Sequence, residues 1–201
     1  MPQPIAATAI TAFTATSAAG TGCAELHISL RDQRGGLRAN DFSSAPLECF
    51  IGRVDGLEQL ALPDGFADCD SRNNRLAWLG LNQDGFLDTA RAAIARHGAD
   101  RVALLIGTST SSIGSTEQAY RELEDGRMPA YQRHPEIHNP HSLGIFLARF
   151  LGLRGPCMTT ATACSSSAKI FAQGERMLRL GLVDAVILAG VDSLCDSVLF
   201  G

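Results

Sequence analysis

Hydrophobic and polar positions along this chain follow two periods in turn, and each change of period marks an element. Residues 102–106 (VALLI) and 185–189 (AVILA) are unbroken apolar runs of strand length, the pattern of strands covered on both faces. Residues 158–162 (MTTAT) are rich in β-branched side chains and read as a further strand. Between these runs the spacing is helical. Leu76, Trp78 and Leu79 follow Asp70 and Ser71, either of which can cap a helix. Leu87, Ala90, Ile94 and His97 step by three and four towards Gly98, a C-terminal stop. Leu143, Phe146, Leu147, Phe150 and Leu151 share one face of a helix opened by His141 or Ser142 and ended at Gly152. Ala168, Phe171, Ala172 and Leu178 place another helix ahead of Gly181.

Apolar strands separated by amphipathic helices predict an α/β fold, with a mostly parallel sheet, right-handed crossovers and helices on both faces. Residues 5–14, rich in Ala, Ile, Thr and Phe, predict a first strand. Residues 20–70 carry Gly35, Gly36, Pro46, Gly52, Gly56, Pro63 and Gly65, so loops are expected to dominate there. Residues 107–114 (GTSTSSIG) are small and polar and follow a strand directly. They lack the Gly-Lys-Ser/Thr ending of a phosphate loop and the Rossmann glycine spacing, which removes nucleotide binding from consideration.

Composition narrows the function classes. A chain of 201 residues, 45% of them hydrophobic, can bury one substantial core. Its net charge of −4, with no Lys/Arg-rich block, argues against a nucleic-acid surface. The six cysteines show no CxxC or Cys/His metal spacing, so reduced thiols and a cytoplasmic compartment are expected. The first twenty residues lack the basic region of an export signal, and no window approaches the roughly 20 apolar residues of a membrane helix. His134, His138 and His141 suggest a metal site, but Pro135 and Pro140 prevent one regular helix from presenting all three rings together, so a proline-stiffened loop is the expectation and no metal is assigned. His97, at a helix C-terminus, suits a cation favoured by the dipole.

Cys164 is the chemically suggestive residue. It falls where the run at 158–162 gives way to helical spacing, among Ala163, Ser165, Ser166 and Ser167, which are small enough to admit a substrate. The first amides of a helix are unpaired donors at the positive end of the macrodipole, so they favour the anionic form of a thiol there and can also hold the oxygen of a tetrahedral thioester adduct. A free cysteine is more often a small core residue, and the other five here need no chemistry.

The segment TATACSSSAK around Cys164, with LGLRGP before it and AGVDSLC after it, resembles the nucleophile segment of the β-ketoacyl-acyl carrier protein synthases, the thiolase-fold condensing enzymes. RLAWLGLNQ and LLIGTSTSSIG extend the resemblance by order and spacing, whereas residues 20–70 look idiosyncratic. It implies an α/β, thiolase-like half with a mostly parallel five-stranded mixed sheet and helices on both faces, the whole of residues 1–201 being the N-terminal half of such an enzyme. It also implies an acyltransferase of fatty-acid, polyketide or polyene biosynthesis. Cys164 would take an acyl group from an acyl carrier protein, and a malonyl thioester would lose carbon dioxide to give the carbanion that attacks it.

By the same resemblance Thr110 borders the acyl channel, Arg72 and Arg75 match the placement of carrier-docking cations, and residues 157–162 lie at a homodimer interface. No cofactor is implied. The histidine and lysine motifs of decarboxylation belong beyond Gly201, so the 201 residues alone are expected to be inactive in condensation. Lys169, the only lysine, is expected to reach solvent rather than to match the catalytic one. Three other functions remain in view: a non-catalytic partner subunit, which the presence of Cys164 opposes; a coenzyme A-dependent thiolase-fold acyltransferase; and a cysteine or serine hydrolase, for which no G-x-S-x-G elbow is present.

Overall fold

The computed structural model describes residues 7–43 and 47–200. In chain order the elements are β1 (Thr16–Ser17), β2 (Gly20–Thr21), α1 (Cys23–Arg31), β3 (Leu37–Ala39), β4 (Phe50–Gly52), α2 (Arg72–Leu81), α3 (Phe86–His97), β5 (Val102–Gly107), α4 (Ile113–Arg121), α5 (Ser142–Leu151), β6 (Cys157–Thr160), α6 (Ser166–Arg179), β7 (Ala185–Gly190) and α7 (Asp196–Phe200). Short 3-10 turns cover Ala67–Cys69 and Ala130–Gln132.

The centre is a parallel sheet in the order β6-β5-β7, with Leu104 opposite both Cys157 and Ile187. β5 is buried throughout, as an unbroken apolar run requires. Its alternate side chains serve two layers. Val102, Leu104 and Ile106 pack with Leu143, Phe146 and Leu147 of α5, Ala77 and Leu81 of α2 and Ala90 of α3. Ala103 and Leu105 pack with Ile170 and Met177 of α6 and with Val183. Helices therefore cover both faces, and each large β5 side chain contributes about 1.5–3 kcal/mol relative to exposure. Phe66, Trp78, Phe146 and Phe150 meet in edge-on pairs that join α2 to α5.

The helix ends match the residues the sequence offered. Ser71 caps α2 by accepting from the Asn74 amide at 3.2 Å, and Gly98 and Gly152 end α3 and α5 with φ of 90° and 66°.

Two expectations need correction. The sheet has three strands among the described residues where five were expected; β1–β2 and β3–β4 form separate antiparallel pairs. Residues 7–14 form no strand, because β-rich composition without a neighbouring strand leaves the backbone unpaired; Thr14 instead donates from Oγ1 to Asp84 at 2.8 Å, and residues 5 and 6 lie outside the described residues. Most of the described residues of 20–70 are loop, as expected, around the nine-residue helix α1.

Candidate active site

β6 ends at Thr160, and five exposed residues, 161–165, lead to the first turn of α6. Ala163 takes φ of 51°, in the left-handed region, and this reverses the chain between strand and helix. The turn braces itself: Ser166 Oγ accepts from the Thr162 amide at 2.9 Å and donates to the Ala163 carbonyl at 2.7 Å, while Ser165 Oγ donates to the Thr162 carbonyl at 2.9 Å. Cys164 is exposed immediately before the N-cap, Ser165. The position anticipated from the change of period is the one observed, at the positive end of a 14-residue helix.

Two glycines seat this turn. Gly107 and Gly190 face each other in register at the ends of β5 and β7. A Cβ on Gly107 would come within 2.8–2.9 Å of Ser166 and Ser167 backbone atoms, and one on Gly190 would meet Ser167 Oγ at 2.5 Å. The helix can rest on the strand ends because both residues lack side chains. Sequence reasoning passed over this pair, although both apolar runs close on glycine, VALLIG and AVILAG.

All six cysteines are free thiols. Burial pushes the Cys69, Cys157 and Cys195 thiols up, and at Cys23 loss of hydration and then the Asp84 carboxylate act in the same direction. These four are disfavoured as nucleophiles, in contrast to the solvent-open Cys164.

Thr110 lies in the loop after β5 and is buried. Its amide and Oγ1 both donate to Asp192 Oδ1, at 2.9 and 3.1 Å. A cleft of 810 Å³ opens beside this loop, walled by Arg72, Asn73, Ser111, Ser112, Glu117 and Gln132; Cys164 lies outside it.

Arg72 and Arg75 sit at the start of α2, both engaged with carboxylates. Arg72 Nε is 3.1 Å from Glu58, its guanidinium stacks over Phe42, and burial draws its pKa down against the pull of Glu58. Arg75 grips Asp70 through both carboxylate oxygens at 2.6 Å and donates to the Glu58 carbonyl.

The histidines of residues 134–141 go to separate surroundings. His138 lies between Thr116 Oγ1 and the Gln132 carbonyl, at 2.8 and 2.7 Å. His141 meets Thr159 Oγ1 at 2.5 Å, and burial lowers its pKa. Lys169 is exposed on α6. Among the described residues no helix is long and apolar enough to cross a membrane.

A parallel sheet clothed on both faces, with an accessible thiol at a strand-to-helix turn, is the arrangement the resemblance to thiolase-like condensing enzymes led us to expect. The family model for the beta-ketoacyl synthase N-terminal domain matches residues 75–201, and the chain belongs to that family. Its fold matches a chain of the complex of the ketosynthase ApeO with its chain length factor ApeC from Xenorhabdus doucetiae, with a TM-score of 0.76 and 32% identity over 90% of this chain and 45% of the other. The ishigamide ketosynthase/chain length factor matches in fold, with a TM-score of 0.69 and 22% identity, over 90% of this chain and 46% of that one. The cyclo-acetoacetyl-L-tryptophan synthase of Aspergillus oryzae is 34% identical over 96 residues, 47% of this chain and 2% of that protein. The chain thus spans about half the length of the chains it matches in these two structures.

Proposed function

We propose that this chain is the nucleophile-bearing N-terminal half of a β-ketoacyl-acyl carrier protein synthase. Cys164, exposed at the turn before α6, carries this reading. Its sulfur attacks an acyl-carrier thioester and releases the carrier thiol, and the Cys164 amide supplies a donor to the oxyanion of the adduct. A malonyl-carrier thioester then loses carbon dioxide, and its carbanion attacks the acyl-enzyme, returning the thiolate and a β-ketoacyl product. The groups that promote decarboxylation lie outside these 201 residues in this reading. The product class is a fatty-acid, polyketide or polyene chain.

Thr110 borders the acyl chain through the loop it shares with Ser111 and Ser112. Arg72 and Arg75 receive the acidic carrier protein by exchanging their carboxylate partners, an exchange that a salt-sensitive dissociation constant and a weakening by Arg72→Ala or Arg75→Ala would report. The partner chain is a second thiolase-fold subunit, a copy of this protein in the first instance, paired along β6, an edge of the sheet. In the ApeO structure the ketosynthase sits with a chain length factor, which makes a homologous subunit the alternative occupant.

Loading of the full-length protein from acyl-carrier thioesters, read by intact mass, tests the proposal. One acyl group per chain is expected, abolished by Cys164→Ala. Iodoacetamide should label Cys164 ahead of the other five thiols. Transfer from acyl-coenzyme A but not from the carrier would assign the chain to the coenzyme A-dependent enzymes, and no transfer from either would leave a non-catalytic subunit.

A further inference from the structure

Asp192 follows β7 and reaches back to the loop that leaves β5. One of its oxygens, Oδ1, accepts from Thr108 Oγ1 at 3.0 Å, the Ser109 amide at 2.7 Å, the Thr110 amide at 2.9 Å and Thr110 Oγ1 at 3.1 Å. Thr110 Oγ1 in turn accepts from the Ser193 amide at 3.2 Å, so the two strand ends are tied from both sides. Successive amides turned towards one point form a concave anion seat, and here the protein's own carboxylate fills it.

The tie continues in both directions. Thr108 Oγ1 accepts from the Ser111 amide at 2.9 Å, and Ser111 is held at φ of 44°, a conformation that a residue bearing a Cβ keeps only under constraint. Ser111 Oγ donates to the Pro140 carbonyl at 3.1 Å. Ser112 Oγ lies 2.9 Å from Ser71 Oγ and 3.1 Å from Ser142 Oγ, so Ser111 and Ser112 form a fixed wall of the 810 Å³ cleft. At its other end the loop begins at Gly107, pressed against the first turn of α6. The Thr108 amide donates to the Thr160 carbonyl, four residues before Cys164.

We infer that Asp192 is a positioning residue for acyl-length selection: its carboxylate fixes residues 108–112 between the Cys164 turn and the cleft, and so sets how long a chain Cys164 can hold. This rests on the reading of Cys164 as the acyl-carrying nucleophile. The charge-assisted cluster outweighs any one neutral bond in the loop, and its loss frees two amides and two hydroxyls at once.

In the full-length protein, a mixture of saturated acyl-carrier thioesters is offered and the acyl groups on Cys164 are read by mass, alongside the rate of Cys164 alkylation. Asp192→Ala is expected to change the preference between neighbouring chain lengths about fivefold, the scale of one net hydrogen bond. Thr108→Val, which keeps the side-chain shape but removes both the donor to Asp192 and the acceptor for the Ser111 amide, should move it in the same direction. Asp192→Asn keeps an Oδ1 acceptor but loses the charge, so it should move the preference in the same direction and by less than Asp192→Ala. Alkylation should stay within about twofold throughout, because no variant alters the turn itself. Should Asp192→Ala fail to fold, Thr108→Val decides. Unchanged preference in the folded variants overturns the inference alone, whereas a wild-type protein that takes up no acyl group overturns the nucleophile reading and this inference together.

Discussion

Ala163 holds φ of 51° one residue before the candidate nucleophile, where a residue with a Cβ is disfavoured by about 1–2 kcal/mol. Relief of that strain makes Ala163→Gly stabilising, by about 1 kcal/mol or about 2–4 °C in thermal midpoint for a chain of this size. Differential scanning calorimetry measures this, and a lowered midpoint would show that the alanine side chain has packing worth more than its strain. Gly107 presents the opposite case. In Gly107→Ala a methyl group falls within 2.8–2.9 Å of backbone atoms that cannot swing aside, so α6 must lift from the strand ends. A loss of about 1–3 kcal/mol is expected, together with a changed rate of Cys164 alkylation. Cys164 was legible in the sequence because a change of hydrophobic period locates a turn. The strain at Ala163 was not, since nothing in a string of small residues says which one takes the left-handed conformation.

Helices were legible where they bury a stripe. α2, α3 and α5 each turn apolar side chains towards β5 or its neighbours and were anticipated within a few residues of their observed bounds, whereas α6 was placed from Ala168, Phe171 and Ala172, which lie on its exposed flank. α1 buries none of its residues and α4 buries Ala119 alone, so neither leaves a periodic signal. α4 is held by polar contacts instead. Glu117 accepts from the Asp196 and Ser197 amides at 3.0 and 2.7 Å and thereby caps α7, while Arg121 pairs with Asp196. Burial alone would push the Glu117 carboxyl up, but the Ser197 and Asp196 hydrogen bonds and the Arg121 charge outweigh it and hold the group below the ordinary glutamate value. A carboxyl whose folded pKa is depressed contributes stability that is complete above its unfolded value, about 4.3, and is lost as pH falls through the folded value. Wild type should therefore lose more stability than Glu117→Gln between about pH 5 and pH 3. Urea denaturation at several pH values measures the difference, and parallel pH profiles would refute it.

At the scale of the whole molecule, the same partial burial links stability to the candidate chemistry. α6 buries a narrow stripe, Ser166, Ile170, Gly174 and Met177, against β5 and β7. Its opposite flank, Ala168, Phe171 and Ala172, is exposed and runs down from the open residues 161–165. Phe171 is 50% exposed, and Met158 on the edge strand β6 is 45% exposed. A sheet bounded by β6 on one side and β7 on the other has no intrinsic protection against a further strand, and an apolar flank beside it lowers the cost of association. The sequence could not reveal this, because Phe171 satisfies the helical period as well as a buried residue does; which side of a helix meets a partner is decided by the layers around it. The 201-residue chain should therefore self-associate, with sedimentation coefficients rising over the micromolar range. Phe171→Ser should displace that rise to higher concentration. Since the flank adjoins the turn, association should also slow iodoacetamide at Cys164, and this couples two independent measurements. A monodisperse chain alkylated at the same rate at every concentration would mean that the flank is tolerated in water and that Cys164 owes its accessibility to the turn alone.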